Sequence, residues 1–184
     1  MRSLRLLALA ATTLFLAPNA HASSTPATSP YSSPTPAPHL QETSSPPVNA
    51  PYPDAGLAPV QVKEAFITAA KTHRRVLLDF GGNWCPDCRM LAGVFSLPDA
   101  ASWLEQNFVI VPINVERFNK NMGIAAQYGV TIKAVPTVLI LTPEGNLLNG
   151  NDAAALGNAR RMSPQATIDL LAKWNDRSVS SSQP

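Results

Sequence analysis

The 184-residue chain predicts an α/β fold, a three-layer α/β/α sandwich around a mixed central sheet. Three observations point there. Residues 76–80, Val-Leu-Leu-Asp-Phe, form an apolar run of strand length, and residues 108–115 form a second run rich in β-branched side chains. Segments with helical spacing of apolar residues alternate with these runs, as in parallel strands joined by crossover helices. A third run over residues 136–142 leads into Pro143-Glu144-Gly145-Asn146. That turn predicts a hairpin with a short fourth strand, which makes the sheet mixed.

The chain begins with Arg2 and Arg5, an apolar segment over residues 6–17, and Ala20-His21-Ala22. These are the n-region, h-region and Ala-x-Ala site of a secretory signal peptide spanning residues 1–22. Cleavage after Ala22 and a periplasmic or secreted location are expected. The apolar segment is shorter than the about 20 residues of a membrane span; an uncleaved anchor is the alternative. Without Arg2 and Arg5 the formal charge of +2 falls to zero. A neutral chain gives no reason to expect nucleic acid or an anionic membrane surface as a partner.

Residues 23–59 hold 10 prolines among 37 positions, with Ser, Thr and Ala making up most of the rest. Such composition is too poor in apolar surface for a core, so a disordered, partly polyproline-II linker is expected. It is either a spacer or a plain tail. The folded domain is expected over residues 60–176. Val60, Val62, Ala65, Phe66 and Ala69 recur at helical spacing up to His73. After the first strand, a helix opens at the cysteines and runs to about Phe95. Pro98 reads as the first residue of a short helix through Glu105, with Trp103 and Leu104 facing inward. Residues 122–128 form a helix ended by Gly129. Ser163-Pro164 caps a last helix that packs Ile168, Leu171, Ala172 and Trp174 on the sheet. Residues 177–184 are expected to be a disordered polar tail.

The chemistry concentrates where the first strand gives way to its helix. Gly81-Gly82-Asn83 breaks the strand, and Trp84-Cys85-Pro86-Asp87-Cys88 contains the only two cysteines of the chain. A cysteine at a helix N-cap faces unsatisfied N–H groups and the positive end of the helix dipole, both of which favour a thiolate. Pro86 at the first helical position gives up only an N–H that had no partner. Cys88 follows three residues later on the same face, close enough to close a small disulfide ring. Cys85 is therefore expected as the exposed attacker and Cys88 as the buried resolving thiol. Asp87 suits a helix N-terminus, yet its charge opposes the Cys85 thiolate, so Pro86 and Asp87 are the redox-tuning positions.

Other cysteine chemistry fits less well. A zinc site needs about four ligands, and two cysteines with the distant His39 and His73 do not supply them. A c-type haem site needs histidine where Arg89 stands. A copper-relay role is a minor alternative. No metal and no bound cofactor are expected.

Asp79-Phe80, Trp84-Cys85-Pro86-Asp87-Cys88 and Val135-Pro136-Thr137 together resemble the thioredoxin superfamily, in particular its exported bacterial members, over about residues 60–176. The resemblance implies a redox-active Cys85–Cys88 disulfide. It implies that Asp79, buried beneath that pair, relays a proton to and from Cys88; an Asp79 turned toward the loop and solvated is the bland alternative. It implies a cis Val135–Pro136 bond facing the disulfide. Trp84, Val135, Pro136 and Thr137 would then meet the substrate, although a core role for Trp84 is open. Here the sequence departs from the family, because Pro112 stands where a lysine usually neighbours the aspartate. The relay then needs water or a different partner.

These readings lead to a thiol–disulfide oxidoreductase, a monomer that reduces protein disulfides through Cys85 and Cys88. In an oxidising compartment a membrane or periplasmic thiol electron donor must restore the dithiol. The rivals are an oxidase or isomerase using the same site, and a non-catalytic redox-sensing binding module.

Overall fold

The computed structural model describes residues 34–179; the expected signal segment, residues 23–33 of the expected linker and residues 180–184 of the expected tail lie outside them. The elements run α1 (Ala58–Thr72), β1 (Arg75–Gly81), α2 (Pro86–Phe95), α3 (Pro98–Asn107), β2 (Phe108–Asn114), α4 (Met122–Ala126), β3 (Thr137–Leu141) and α5 (Pro164–Asn175). Pro59, Pro86, Pro98 and Pro164 each stand within the first two positions of a helix. There the missing N–H removes no helical hydrogen bond and the fixed φ is already helical. Ser163 caps α5, its hydroxyl accepting from the Ala166 N–H at 3.2 Å.

β1 lies at the centre of the sheet, parallel to β2 and antiparallel to β3. The sheet is therefore mixed. The period of two divides its side chains between two cores. Val76, Leu78 and Phe80 join Val111, Ile113, Leu139 and Leu141 against Ala65 and Ala69 of α1 and Ala125 of α4. On the opposite face Leu77, Val138 and Ile140 meet Trp103 and Leu104 of α3 and Ile168, Leu171 and Trp174 of α5. Helices thus cover both faces of the sheet, giving three layers.

Two expectations are corrected. The predicted fourth strand is reduced to a single bridge between Leu141 and Leu147. Its place along β3 is taken by Asn149, a fully buried side chain. The Asn149 carbonyl oxygen accepts from the Ile140 N–H at 2.9 Å, and its amide donates to the Val138 carbonyl at 2.8 Å. A side-chain amide carries the same donor and acceptor as a peptide, so it completes the ladder without a strand.

The second correction concerns the linker. Residues 34–57 are not a free spacer but a strap laid across the domain. Leu40 and Tyr52 are buried, one in each core. Asn107 and Trp103 fasten Thr35, and Gln165 bonds both Pro38 and Leu40. Val48 pairs with Arg89 of α2 through main chain and guanidinium, at 2.9 and 3.1 Å. Composition misleads here because proline needs no partner for its nitrogen, while side chains of the domain serve several of the remaining polar groups. The C-terminal segment is likewise held at its start: Arg177 pairs with Asp152 and donates to the Leu148 carbonyl.

Candidate active site

β1 ends at Gly81, and the following loop delivers Cys85 as the N-cap of α2, with Pro86 first in the helix. The Cys88 N–H donates to Cys85 Sγ at 3.3 Å. The N-cap role that Ser or Asp plays elsewhere is here filled by sulfur, which stabilises its anion. From the opposite side the Val135 carbonyl accepts from Cys85 Sγ at 3.5 Å, and the Val135–Pro136 bond is cis. Both cysteines are free thiols.

The expected contrast in exposure is corrected: Cys85 is only 4% exposed and Cys88 fully buried. Burial pushes the Cys88 thiol far above its ordinary range, with the Cys85 sulfur and Asp79 adding to the effect. Cys88 thus holds its proton firmly.

Asp79 is buried, not solvated. Desolvation raises its pKa to about 7, against which a hydrogen bond from Tyr52 works in the opposite sense. The Tyr52 hydroxyl donates to Asp79 Oδ2 at 2.8 Å, while Asp79 Oδ1 is buried without a hydrogen-bond partner in the protein. In the sheet register Asp79 stands opposite Pro112, so the lysine that the sequence lacks is not replaced from β2. The replacement is a phenol from the strap. Burial, with Asp79 and Cys88 close by, pushes the Tyr52 hydroxyl well above its usual range and keeps it a donor.

Tyr52 is fixed by its main chain as well as its ring. Its N–H donates to the Asn83 side-chain oxygen at 2.9 Å and its carbonyl accepts from the Asn83 amide at 3.0 Å. Gly81 makes room for the ring: a Cβ there would stand 2.2 Å from the Tyr52 hydroxyl oxygen and 2.9 Å from Cys88 Sγ. No L side chain other than hydrogen fits between them. Asn83 and Tyr52 both escaped sequence reasoning. The available signal was Gly81, whose missing side chain leaves the room that the Tyr52 ring fills.

Around the thiols, Trp84 is 39% exposed and so does not belong to the core. Its indole N–H donates to the Glu116 carbonyl, its ring packs on Phe118 at 5.8 Å, and the Arg117 guanidinium lies over it at 5.0 Å. Glu116 and Phe118 adopt left-handed backbone with φ of 49° and 64°, a conformation that tertiary contacts must hold in place for such residues. Thr137, expected to meet substrate, is buried, with its hydroxyl donating to the Ala134 carbonyl at 2.7 Å. Asp87 is paired: its two oxygens accept from the Arg160 N–H at 3.0 Å and the guanidinium at 3.1 Å. The positive partner offsets the charge that was expected to oppose the Cys85 thiolate.

Known proteins share this framework. The thioredoxin-like domain family matches residues 62–153, half of the chain. A thioredoxin of Chlorobaculum thiosulfatiphilum is 38% identical over 70 residues, which are 38% of this chain and 58% of that protein. A thioredoxin of Buchnera aphidicola is 29% identical over 90 residues, 49% of this chain and 74% of that one. The chain thus spans little more than half of the first of these relatives. Among solved structures, a disulphide isomerase from Xylella fastidiosa Temecula1 superposes with a TM-score of 0.64 at 34% identity. That match covers 68% of this chain and 96% of the isomerase. With the strand–Cys85–helix junction, the cis Pro136 and the buried Asp79 in place, this chain belongs to the thioredoxin superfamily.

Proposed function

We propose that the chain is an exported thiol–disulfide oxidoreductase that reduces protein disulfides through Cys85 and Cys88. The observation that carries this reading is the pairing of an N-capping Cys85 sulfur with a buried, proton-holding Cys88 and an adjacent carboxyl group of intermediate acidity. Cys85 thiolate attacks one sulfur of a client disulfide, which releases the other as a thiolate and leaves a mixed disulfide. Before that step the negative Cys85 sulfur opposes ionisation of Cys88. Once Cys85 is covalently bound its charge is gone, and Cys88 ionises more readily. The Cys88 thiolate then attacks Cys85 Sγ, expels the second client thiolate and leaves the Cys85–Cys88 disulfide. Two electrons pass from enzyme to client. A thiol donor, in the membrane or the periplasm, must return them.

Trp84 with Phe118 and Arg117 offers the client an apolar and cationic face next to Cys85, and the Val135 carbonyl offers an acceptor to an extended segment. The export reading rests on the signal-like residues 1–22. Replacement of Cys88 with alanine tests the mechanism: covalent client adducts on Cys85 should accumulate in cell extracts, and turnover of insulin disulfides should fall at least about a hundredfold. No adduct and unimpaired turnover would refute it.

A second reading, isomerase or oxidase, is favoured by the similarity to the Xylella disulphide isomerase. The reduction potential separates the two. A value near about −270 mV fits a donor of electrons, and one near about −120 mV an oxidant.

A further inference from the structure

We propose that Tyr52, carried by the strap that lies outside the matched domain, is a positioning residue for the dithiol: its hydroxyl holds Asp79 Oδ2 beside the resolving Cys88 and so tunes the carboxyl that receives the Cys88 proton. The proposal rests on the dithiol chemistry given above and adds a component to it.

Geometry makes the argument. Asp79 has two oxygens in a buried site; one is bonded by Tyr52 at 2.8 Å and the other has no partner in the protein. The hydroxyl that holds Oδ2 also lies against Cys88, so the phenol stands between the carboxyl and the resolving sulfur. Tyr52 and Cys88 converge on the same point above Gly81, which places the phenol, the carboxyl and the resolving sulfur in one cluster. The phenol is delivered by a built clamp, the reciprocal pair of bonds between Tyr52 main chain and the Asn83 side chain. The groups that face Asp79 across the sheet, Pro112 on β2 and Val138 on β3, carry no titratable atom. Titratable neighbours therefore come from the strap, as Tyr52, and from α2, as Cys88 with Cys85 beyond it.

In the resolving step Cys88–SH gives its proton to the Asp79 carboxylate, the thiolate attacks Cys85 Sγ, the mixed-disulfide bond breaks, and the departing client thiolate takes a proton from solvent. The electrons of the new S–S bond are those of the two enzyme sulfurs, and the client sulfur leaves reduced. Tyr52 acts through its hydrogen bond to Asp79. Its O–H favours the ionised carboxylate, so it sets the pH at which Asp79 can act as a base.

The test is stopped-flow reaction of the full chain with 5,5′-dithiobis(2-nitrobenzoate) from pH 5 to pH 9. The phase that depends on reagent concentration reports Cys85. The concentration-independent phase reports Cys88 expelling the second thionitrobenzoate. Tyr52→Phe removes the hydroxyl alone. It should raise the pH midpoint of the second phase by about one unit, slowing that phase about tenfold below the midpoint. The first phase should stay within about twofold. In an Asp79→Asn background Tyr52→Phe should have no further effect. Asn83→Ala, which frees the Tyr52 main chain, should move the midpoint in the same direction and serves if Tyr52→Phe does not fold. An unchanged midpoint, or an equal effect of Tyr52→Phe with and without the carboxylate, would overturn the proposal. Both phases are stoichiometric thiol chemistry and need no client. Failure to reduce insulin would thus sink the proposed function while leaving the role of Tyr52 readable.

Discussion

In β1 the main chain pairs on both sides, from Arg75↔Phe108 to Gly81↔Asn114 with β2 and from Val76↔Leu141 to Phe80↔Thr137 with β3. In the strap the main chain pairs chiefly with side chains: Thr35 with Asn107, Pro38 and Leu40 with Gln165, Val48 with Arg89, Tyr52 with Asn83, Pro53 with Asn114, and Ala55 with Asn121. Both segments bury aromatic rings at the site, Phe80 from the strand and Tyr52 from the strap. A strand advertises itself by its own apolar period, whereas a strap of this kind is specified by its receiving surface. Amides and guanidinium groups on α2, α3, α5 and the loops supply donors and acceptors, and small residues supply the groove. Order here follows from the match between two surfaces, not from the composition of either.

Truncation tests whether both segments are core. Leu78→Ala in the sheet and Tyr52→Ala in the strap should each lower unfolding free energy in urea by about 3–5 kcal/mol, because each removes a buried side chain and leaves a cavity. A loss below about 1 kcal/mol for Tyr52→Ala would make the strap a peripheral layer instead of part of the core.

The junction of the two regions gives a pH-dependent test. The folded-state pKa of Asp79, about 7, lies above its ordinary 3.8. Between these values the folded chain holds a proton that the unfolded chain has lost. The stability this confers is complete below the lower value, declines by about 1.4 kcal/mol per unit through the window, and is gone above the upper one. Asp79→Asn abolishes the decline. The variant should exceed the parent in stability by about 4 kcal/mol at pH 8, and the difference should vanish near pH 4. Denaturation curves with the same offset at both pH values would show that Asp79 is not a buried acid of this kind.

A smaller effect sharpens the role of the receiving surface. Gly93 lies inside α2, where alanine ordinarily stabilises by about 1 kcal/mol. A Cβ at Gly93 would stand 2.1 Å from the Pro46 carbonyl oxygen of the strap. Gly93→Ala should therefore destabilise by about 1–2 kcal/mol and increase proteolysis within the strap. A gain in stability would mean that the helix does not depend on the strap's close approach.

Much of the fold and of the site was legible in the chain. The apolar periods of β1, β2 and β3, the helix-initiating prolines and Gly129 with its φ of 73° are local devices, and local devices are written in adjacent residues. Cys85 and Cys88 declared themselves by spacing, and Asp79 by interrupting an apolar strand. The fourth strand was not legible as absent, because Asn149 replaces it by a side-chain bond that leaves no period in the sequence.

The α/β order, the dithiol and the helix that presents it depend on residues within one or two turns of each other, so the chain spells them out locally. Long-range packing made the environment of that dithiol. It brings Tyr52 to Asp79 across 27 positions and Arg160 to Asp87 across 73. Acidity in a buried site is set by desolvation and by whichever donor packing places there, and neither quantity exists until the chain has closed around it.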